Sequence, residues 1–247
     1  VVPLSLILAF GLVLMRLSGL VATAPVLSSR LVPMRIKAAL VFALSLIAFS
    51  GAGMPSILVP SDFGTLAALV ISEFVVGGAA GLSARLVLDA AQFGGQAAGG
   101  AMGIGFGQML NPNSGADSTT IGELFGALTL AAALTLGIHT EAIAWLVHSL
   151  KEVPPGGTVE LTTLASSVIR QIIFAIALAI RVAYPLFAAS LFGYTILGLL
   201  GKAAPQLSLS NLGFAVSILC GGGALYLVAP EGAQLCANAA ITVFSRS

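Results

Sequence analysis

Six long apolar runs, at about 3–24, 36–59, 64–88, 120–150, 164–200 and 207–229, with a weaker one at 232–244, leave this chain few ways to fold. A helix needs about 20 apolar residues to cross a ~30 Å hydrocarbon core. The runs meet or approach that length, and their connections are too short to make an additional soluble domain. A mean hydropathy of +1.08, with 58% hydrophobic and 8% charged residues, excludes the ordinary soluble classes. The expected fold is all-α: one domain over 1–247, a polytopic membrane-type bundle with kinked helices. The first run lacks a basic n-region and a convincing small-residue cleavage site before Arg16, so it reads as a retained helix. Prolines stand at run ends, including Pro230, whereas Pro185 falls inside one and predicts a kink. As one continuous helix, 164–200 would span ~55 Å at ~1.5 Å per residue. It either breaks at Pro185 or leaves the bilayer.

Charges inside the runs point to function or assembly. Arg16, Glu73, Glu123, Glu141, Arg170 and Arg181 lie within or near the middle of apolar segments, three acids against three arginines. An arginine at mid-bilayer costs at least ~2.5–3.5 kcal/mol on insertion scales, so Arg16 needs a partner, a polar cavity or a position outside lipid. Internal ion pairs that join helices account for this set more simply than direct contact with a transported species. Arg170 and Arg181, 11 residues apart, return to nearly the same helical face about 16 Å apart along the axis and could line one polar seam. Arg30, Arg35 and Lys37 form the only basic cluster, which makes the 25–37 loop cytoplasmic by the positive-inside rule.

The stretch GGQAAGGAMGIGFGQMLNPNSGAD, residues 94–117, is the second unusual region. Seven of its first fourteen residues are glycine, a composition that disfavours helix. Gly95, Gly99, Gly103 and Gly107 nevertheless recur every four residues, the spacing that lets two helix backbones approach closely. The other reading is a pliable segment with a turn at NPNSG, suited to a constriction or plug at 103–120. Irregular backbone at membrane depth is tolerated only inside protein or beside a water-filled cavity.

Other function classes find little support. Ten basic and nine acidic residues are scattered along the chain, with no nucleic-acid footprint. On a helix, His139 and His148 point to opposite faces, and Glu141 and His148 share a face two turns apart, too far for one metal's inner sphere. GAMGIG and GIGFG lack the strand and the spaced acid of a dinucleotide loop. Cys220 and Cys236 read as small buried hydrophobes. No cofactor, metal or enzymatic activity is expected.

Four blocks in order resemble the FliR family, the R component of the flagellar export gate, with relatives in virulence type III secretion. LMRLSGLVATAPVLSSRLVPMRIKAAL resembles the family's opening, including Pro25 and Pro33. MGIGFGQMLNPNSG is similar to its glycine-rich segment. GIHTEAIAWLVHSLKEVPPGG is similar to its histidine-containing helix and Pro-x-Gly-Gly loop, with His139, Gly156 and Gly157, and LGLLGKAAPQLSLSNLGF to its alanine-proline-glutamine signature, with Pro205 and Gln206.

The resemblance implies a core subunit of the export gate, like a fused P-type and Q-type subunit in a helical ring. One R subunit would stand with several copies of FliP and FliQ, contact FlhB, touch membrane lipid and pass unfolded flagellar proteins. Its place would be the bacterial inner (cytoplasmic) membrane, in the flagellar basal body. The family's plug corresponds to about 105–118, with Gly105, Phe106, Gly107, Met109, Leu110, Asn111, Pro112 and Asn113 as gate residues. Arg16, Arg30, Arg35, Lys37, Glu73, Arg170 and Arg181 become assembly or structural charges. Asn111 stands where the family commonly has aspartate, keeping turn propensity without charge, and Lys202 where arginine is common, losing bidentate geometry. The alternative is an independent secondary transporter or small-solute channel, favoured by broken helices and buried charges.

Overall fold

A computed structural model describes residues 3–24, 33–55, 57, 62–103, 120–157, 160–203 and 209–246. The proposed plug, together with Pro25, Arg30, Pro205 and Gln206, lies outside them. Among the described residues the chain forms seven α-helices and no strand: α1 (Leu4–Thr23), α2 (Met34–Gly51), α3 (Phe63–Ala101), α4 (Thr120–Thr135), α5 (Ile138–Glu152), α6 (Leu161–Ala203) and α7 (Leu209–Arg246). Five are long and apolar enough to cross a membrane, and α4 with α5 makes a sixth span if that pair, bent by 62°, is counted as one. Gly137 makes the bend. Its φ of +85° is a left-handed conformation that costs glycine little, and it is the N-cap of α5.

Three helices correct the boundaries read from sequence. The glycine-rich stretch is helical through Ala101, so the 64–88 run continues to the end of a 39-residue helix. Close packing along that stretch outweighs its poor propensity. Pro185 and Pro230 are both internal, to a 43-residue and a 38-residue helix, so α6 does not end at Pro185 and α7 is not divided at Pro230. Each proline removes one donor from the ladder, to the carbonyl of Arg181 or Tyr226, a loss that membrane-type helices tolerate. At ~1.5 Å per residue these three helices run about 57–64 Å, roughly twice a hydrocarbon core. Fitting that length into ~30 Å would take a tilt near 60°, beyond the usual range of about 0–40°.

The chain divides into two compact units, 1–86 with 137–172 and 239–247, and 87–136 with 173–238. In the first, α1 buries Ala9, Leu12, Val13, Arg16, Leu17, Leu20 and Val21, the i, i+3, i+4, i+7 stripe of a helix with one buried face. Phe10 meets Phe42 and Phe49 edge-on, at centroid separations of 5.7 and 5.6 Å, which joins α1 to α2. Trp145 of α5 lies 6.3 Å from Phe244 of α7.

Glycines carry the closest helix approach, α1 against α3. A Cβ on Gly77 would collide with the carbonyl of Arg16, one on Gly19 with the carbonyl of Phe74, and one on Gly81 would stand 2.6 Å from the carbonyl of Leu20. Gly77 and Gly81 form a small-xxx-small pair. The proximity lets Thr23 Oγ1 donate to the carbonyl of Gly78 at 3.0 Å. In the second unit a Cβ on Gly94 would sit 2.8 Å from the carbonyl of Ala179, and one on Gly95 3.0 Å from that of Ile121. Gly95 of the four-residue repeat thus serves close packing. Gly103, at φ +77°, ends the helix.

Gly77→Ala is expected to destabilise the chain by about 1–3 kcal/mol, the usual cost of overpacking. Gly222→Ala, where an added Cβ meets nothing within 4 Å, should be neutral or mildly stabilising. Thermal midpoints of the two variants in one detergent check the contrast.

Candidate functional site

The first unit is organised around one buried cation. Arg16 is fully buried and Glu73 is 2% exposed. The guanidinium meets the carboxylate in a fork, with Nε donating to Oε2 at 2.5 Å and Nη2 to Oε1 at 3.1 Å. Nη1 turns to the end of α5, donating to Ser149 Oγ at 3.0 Å and to the carbonyls of Ser149 and Val153 at 3.2 and 3.1 Å. The Ser149 carbonyl also accepts the Val153 N–H at 2.9 Å, whereas the carbonyl of Val153, the C-cap, lies past the last intrahelical bond, and the helix end carries the negative end of its dipole, so a cation is well placed there. Arg16 therefore neutralises Glu73 and caps α5 with one planar group. Lysine could not reproduce this fork.

Glu73 has a second partner. Its Oε1 accepts the backbone N–H of Gly156 at 2.8 Å. That N–H is presented by a tight turn in which Gly157 N–H donates to the carbonyl of Pro154 at 2.9 Å. Pro155 and Gly156, φ +79°, occupy the central positions, the proline-then-glycine order of a type II turn. The Pro-Pro-Gly-Gly sequence thus has a local physical reason. The prolines preset the turn, Gly156 accepts the left-handed conformation, and a Cβ on Gly157 would press on the Pro154 carbonyl at 3.0 Å.

The structure brings together Arg16, Glu73 and Gly156 and adds Ser149, for which the sequence carries no signal. Gly77 and Gly81 were also missed as close-packing positions, although their spacing is readable. Arg170 and Arg181 are exposed on α6, and neither has an ion-pair partner among the described residues. Arg35 is exposed and Lys37 half-buried in the first turn of α2, whose N-cap is Pro33. Glu123 is exposed and Glu141 half-buried. His139 is exposed and borders an apolar cavity, while His148 pairs with Glu152 at 3.1 Å on an exposed face, a contact worth little.

In the second unit the end of α3 is held by two hydroxyls. Tyr194 Oη donates to the carbonyl of Ala101 at 2.8 Å. Buried Ser217 donates to that of Met102 at 3.1 Å, and its oxygen lies 3.3 Å from Tyr194 Oη. Met102 is fully buried, and a Cβ on Gly221 would strike its side chain at 2.6 Å. Two otherwise orphaned helix-end carbonyls are thereby satisfied two residues before the undescribed 104–119 segment.

Residues 7–241 match the family described as Bacterial export proteins, family 1. The chain belongs to that family. Relatives named Flagellar biosynthetic protein FliR are similar along most of their length. The Escherichia coli K12 protein is 29% identical over 235 residues, 94% of this chain and 88% of that protein. The Bacillus subtilis protein is 27% identical over 217 residues, covering 85% and 82%. The Caulobacter vibrioides protein is 24% identical over 211 residues, covering 85% and 84%. In this bacterial export protein the charged group at the centre of the first unit is engaged by protein on every side that carries a donor.

Arg16→Lys is expected to lose about 1.5–3 kcal/mol, the value of hydrogen bonds to a charged group that an ammonium cannot remake. Chemical denaturation in detergent should show the loss. An unchanged midpoint would contradict the role assigned to the fork.

Proposed function

We propose that this chain is a membrane-embedded component of the flagellar protein-export apparatus, forming part of the wall of a gated channel for unfolded flagellar proteins. The observation that carries the reading is the family match along nearly the whole chain, joined to relatives that bear the FliR name. Physical features support a subunit over a self-contained transporter. The charges at the centre of the first unit are consumed in a fully bonded clasp, which leaves no free ionic site there for a solute.

Large apolar side chains are exposed along helices too long for the hydrocarbon core, among them Ile173, Ile180, Tyr184, Leu191 and Phe192 of α6. Such surface calls for partner helices as well as lipid. In this reading the partners are several copies of FliP and FliQ around one copy of this chain, with FlhB alongside, in the bacterial inner membrane. Arg170 and Arg181, exposed on α6, are assembly contacts. The segment 105–118 is the plug, with Phe106, Met109, Leu110, Asn111 and Pro112 at the constriction. Soft apolar side chains there block ions and yield to an unfolded chain. Energy comes from other components.

Coexpression with FliP and FliQ, followed by mass measurement of the detergent-extracted complex, tests the proposal. The expected result is one copy of this chain with several copies of each partner, and a poor yield of this chain alone. A monodisperse homo-oligomer that moves a small solute into vesicles would overturn it.

A further inference from the structure

The end of α3, AAGGAM at 97–102, contains two adjacent glycines and has little of its own to keep it helical. Gly103, at φ +77°, turns the chain out of the helix. The local sequence therefore fixes the direction of exit only weakly. The ladder stops with Met102 N–H on the carbonyl of Ala98 and Gly103 N–H on that of Gly100. The carbonyls of Ala101 and Met102 lie past it, and α6 and α7 take them from outside. Tyr194 of α6 donates to the first at 2.8 Å and Ser217 of α7 to the second at 3.1 Å. A hydroxyl has one proton to give, and the shorter contact of each is to the main chain of α3.

The side chain of Met102 makes a third attachment. It is fully buried against Gly221, one turn beyond Ser217 on the same face of α7, where an added Cβ would stand 2.6 Å from its Cγ, Sδ and Cε. The helices that form this socket meet closely at the same level, since a Cβ on Gly193, next to Tyr194, would lie 3.3 Å from Cys220 Sγ. Buried Ser190, one turn before Tyr194, shows the ordinary use of a hydroxyl in such a helix: it donates to the carbonyl of Leu186 in α6 itself, at 2.9 Å. Tyr194 and Ser217 instead reach across 93 and 115 positions to the same helix end.

We infer that Tyr194, Ser217 and Gly221 are positioning residues of the gate, which fix the point and direction from which the chain leaves α3 toward 105–118; this role rests on the reading of that segment as the plug. Met102, the last residue held, stands three positions before Gly105. A change in the socket thus acts on the segment without altering any of its side chains.

The test uses the full chain in the complex coexpressed with FliP and FliQ, placed in planar lipid bilayers, with K⁺ conductance in the absence of substrate as the readout. Tyr194→Phe combined with Ser217→Ala is expected to raise the conductance roughly tenfold, the population change that follows the loss of two ordinary hydrogen bonds, with the subunit composition unchanged. Gly221→Ala, which keeps both hydroxyls and displaces Met102, should raise it as well. Ser190→Ala removes a buried hydroxyl bond of α6 away from the socket and should leave the parent conductance; an equal rise there would mean general loosening and overturn the positioning role. Deletion of 106–113, run in parallel, separates the two claims. If the deletion conducts and the socket variants stay closed, the positioning role fails while the plug reading stands; if the deletion stays closed, the plug reading fails and the positioning role with it. Should the double variant not assemble, Tyr194→Phe alone decides, because it removes one oxygen from a residue that is 46% exposed: a several-fold rise supports the role and the parent conductance overturns it.

Discussion

One ion pair sets the terms for the first unit. Two fully desolvated charges are stable only if their mutual attraction and their remaining hydrogen bonds repay several kcal/mol of lost hydration per ion. The Arg16–Glu73 pair meets this condition in an unusual way, because neither partner spends its hydrogen bonds on the other alone. Arg16 donates to the end of α5, to the carbonyl of Val153 and to that of Ser149, and Glu73 takes the N–H of Gly156. Three elements distant in sequence, α1, α3 and the turn after α5, are thereby held to one geometry. The interaction acts less as a source of net stability than as a specification of register, because any slip of one helix would leave a buried charge unpaired.

That geometry depends on the absence of side chains nearby. Glu73 lies one helical turn before Gly77, and Gly77 packs directly against the carbonyl of Arg16, so the residue that carries the charge also forms the closest backbone contact. In a membrane-type bundle, where apolar side chains gain little by leaving lipid, such close backbone packing and internal polar bonds become the main cohesive forces. The outer surface is the reverse. Among the described residues the long helices leave many large apolar side chains exposed, which agrees with a membrane-embedded component of the export apparatus.

Much of the fold was legible from hydropathy. The all-α class, the run of membrane-length segments and the need for a partner at Arg16 follow from composition and from the cost of a buried cation. Helix boundaries were less legible, because Gly94–Ala101 and Pro230 carry local signals for ending a helix that tertiary packing overrides. The clasp was half legible. Arg16 and Glu73 stand out as charges in apolar runs, whereas Ser149 is an ordinary surface-type residue whose role comes only from its place at the end of α5. Gly156 could be read as a turn former, but its N–H as a ligand of Glu73 depends on a contact across 83 positions. Arg170 and Arg181 show the limit in the other direction, since charges in an apolar run need not be buried when that run is a helix with an exposed face.

The measurement that bears most directly on this account is a double-mutant cycle between Arg16→Met and Glu73→Met, read as unfolding free energy in detergent. Each single variant strands a buried charge and is predicted to cost about 3–5 kcal/mol, while the double variant costs clearly less than their sum, with a coupling of about 1.5–3 kcal/mol. Additive losses, or single variants as stable as the parent, would contradict the claim that this pair holds the first unit together.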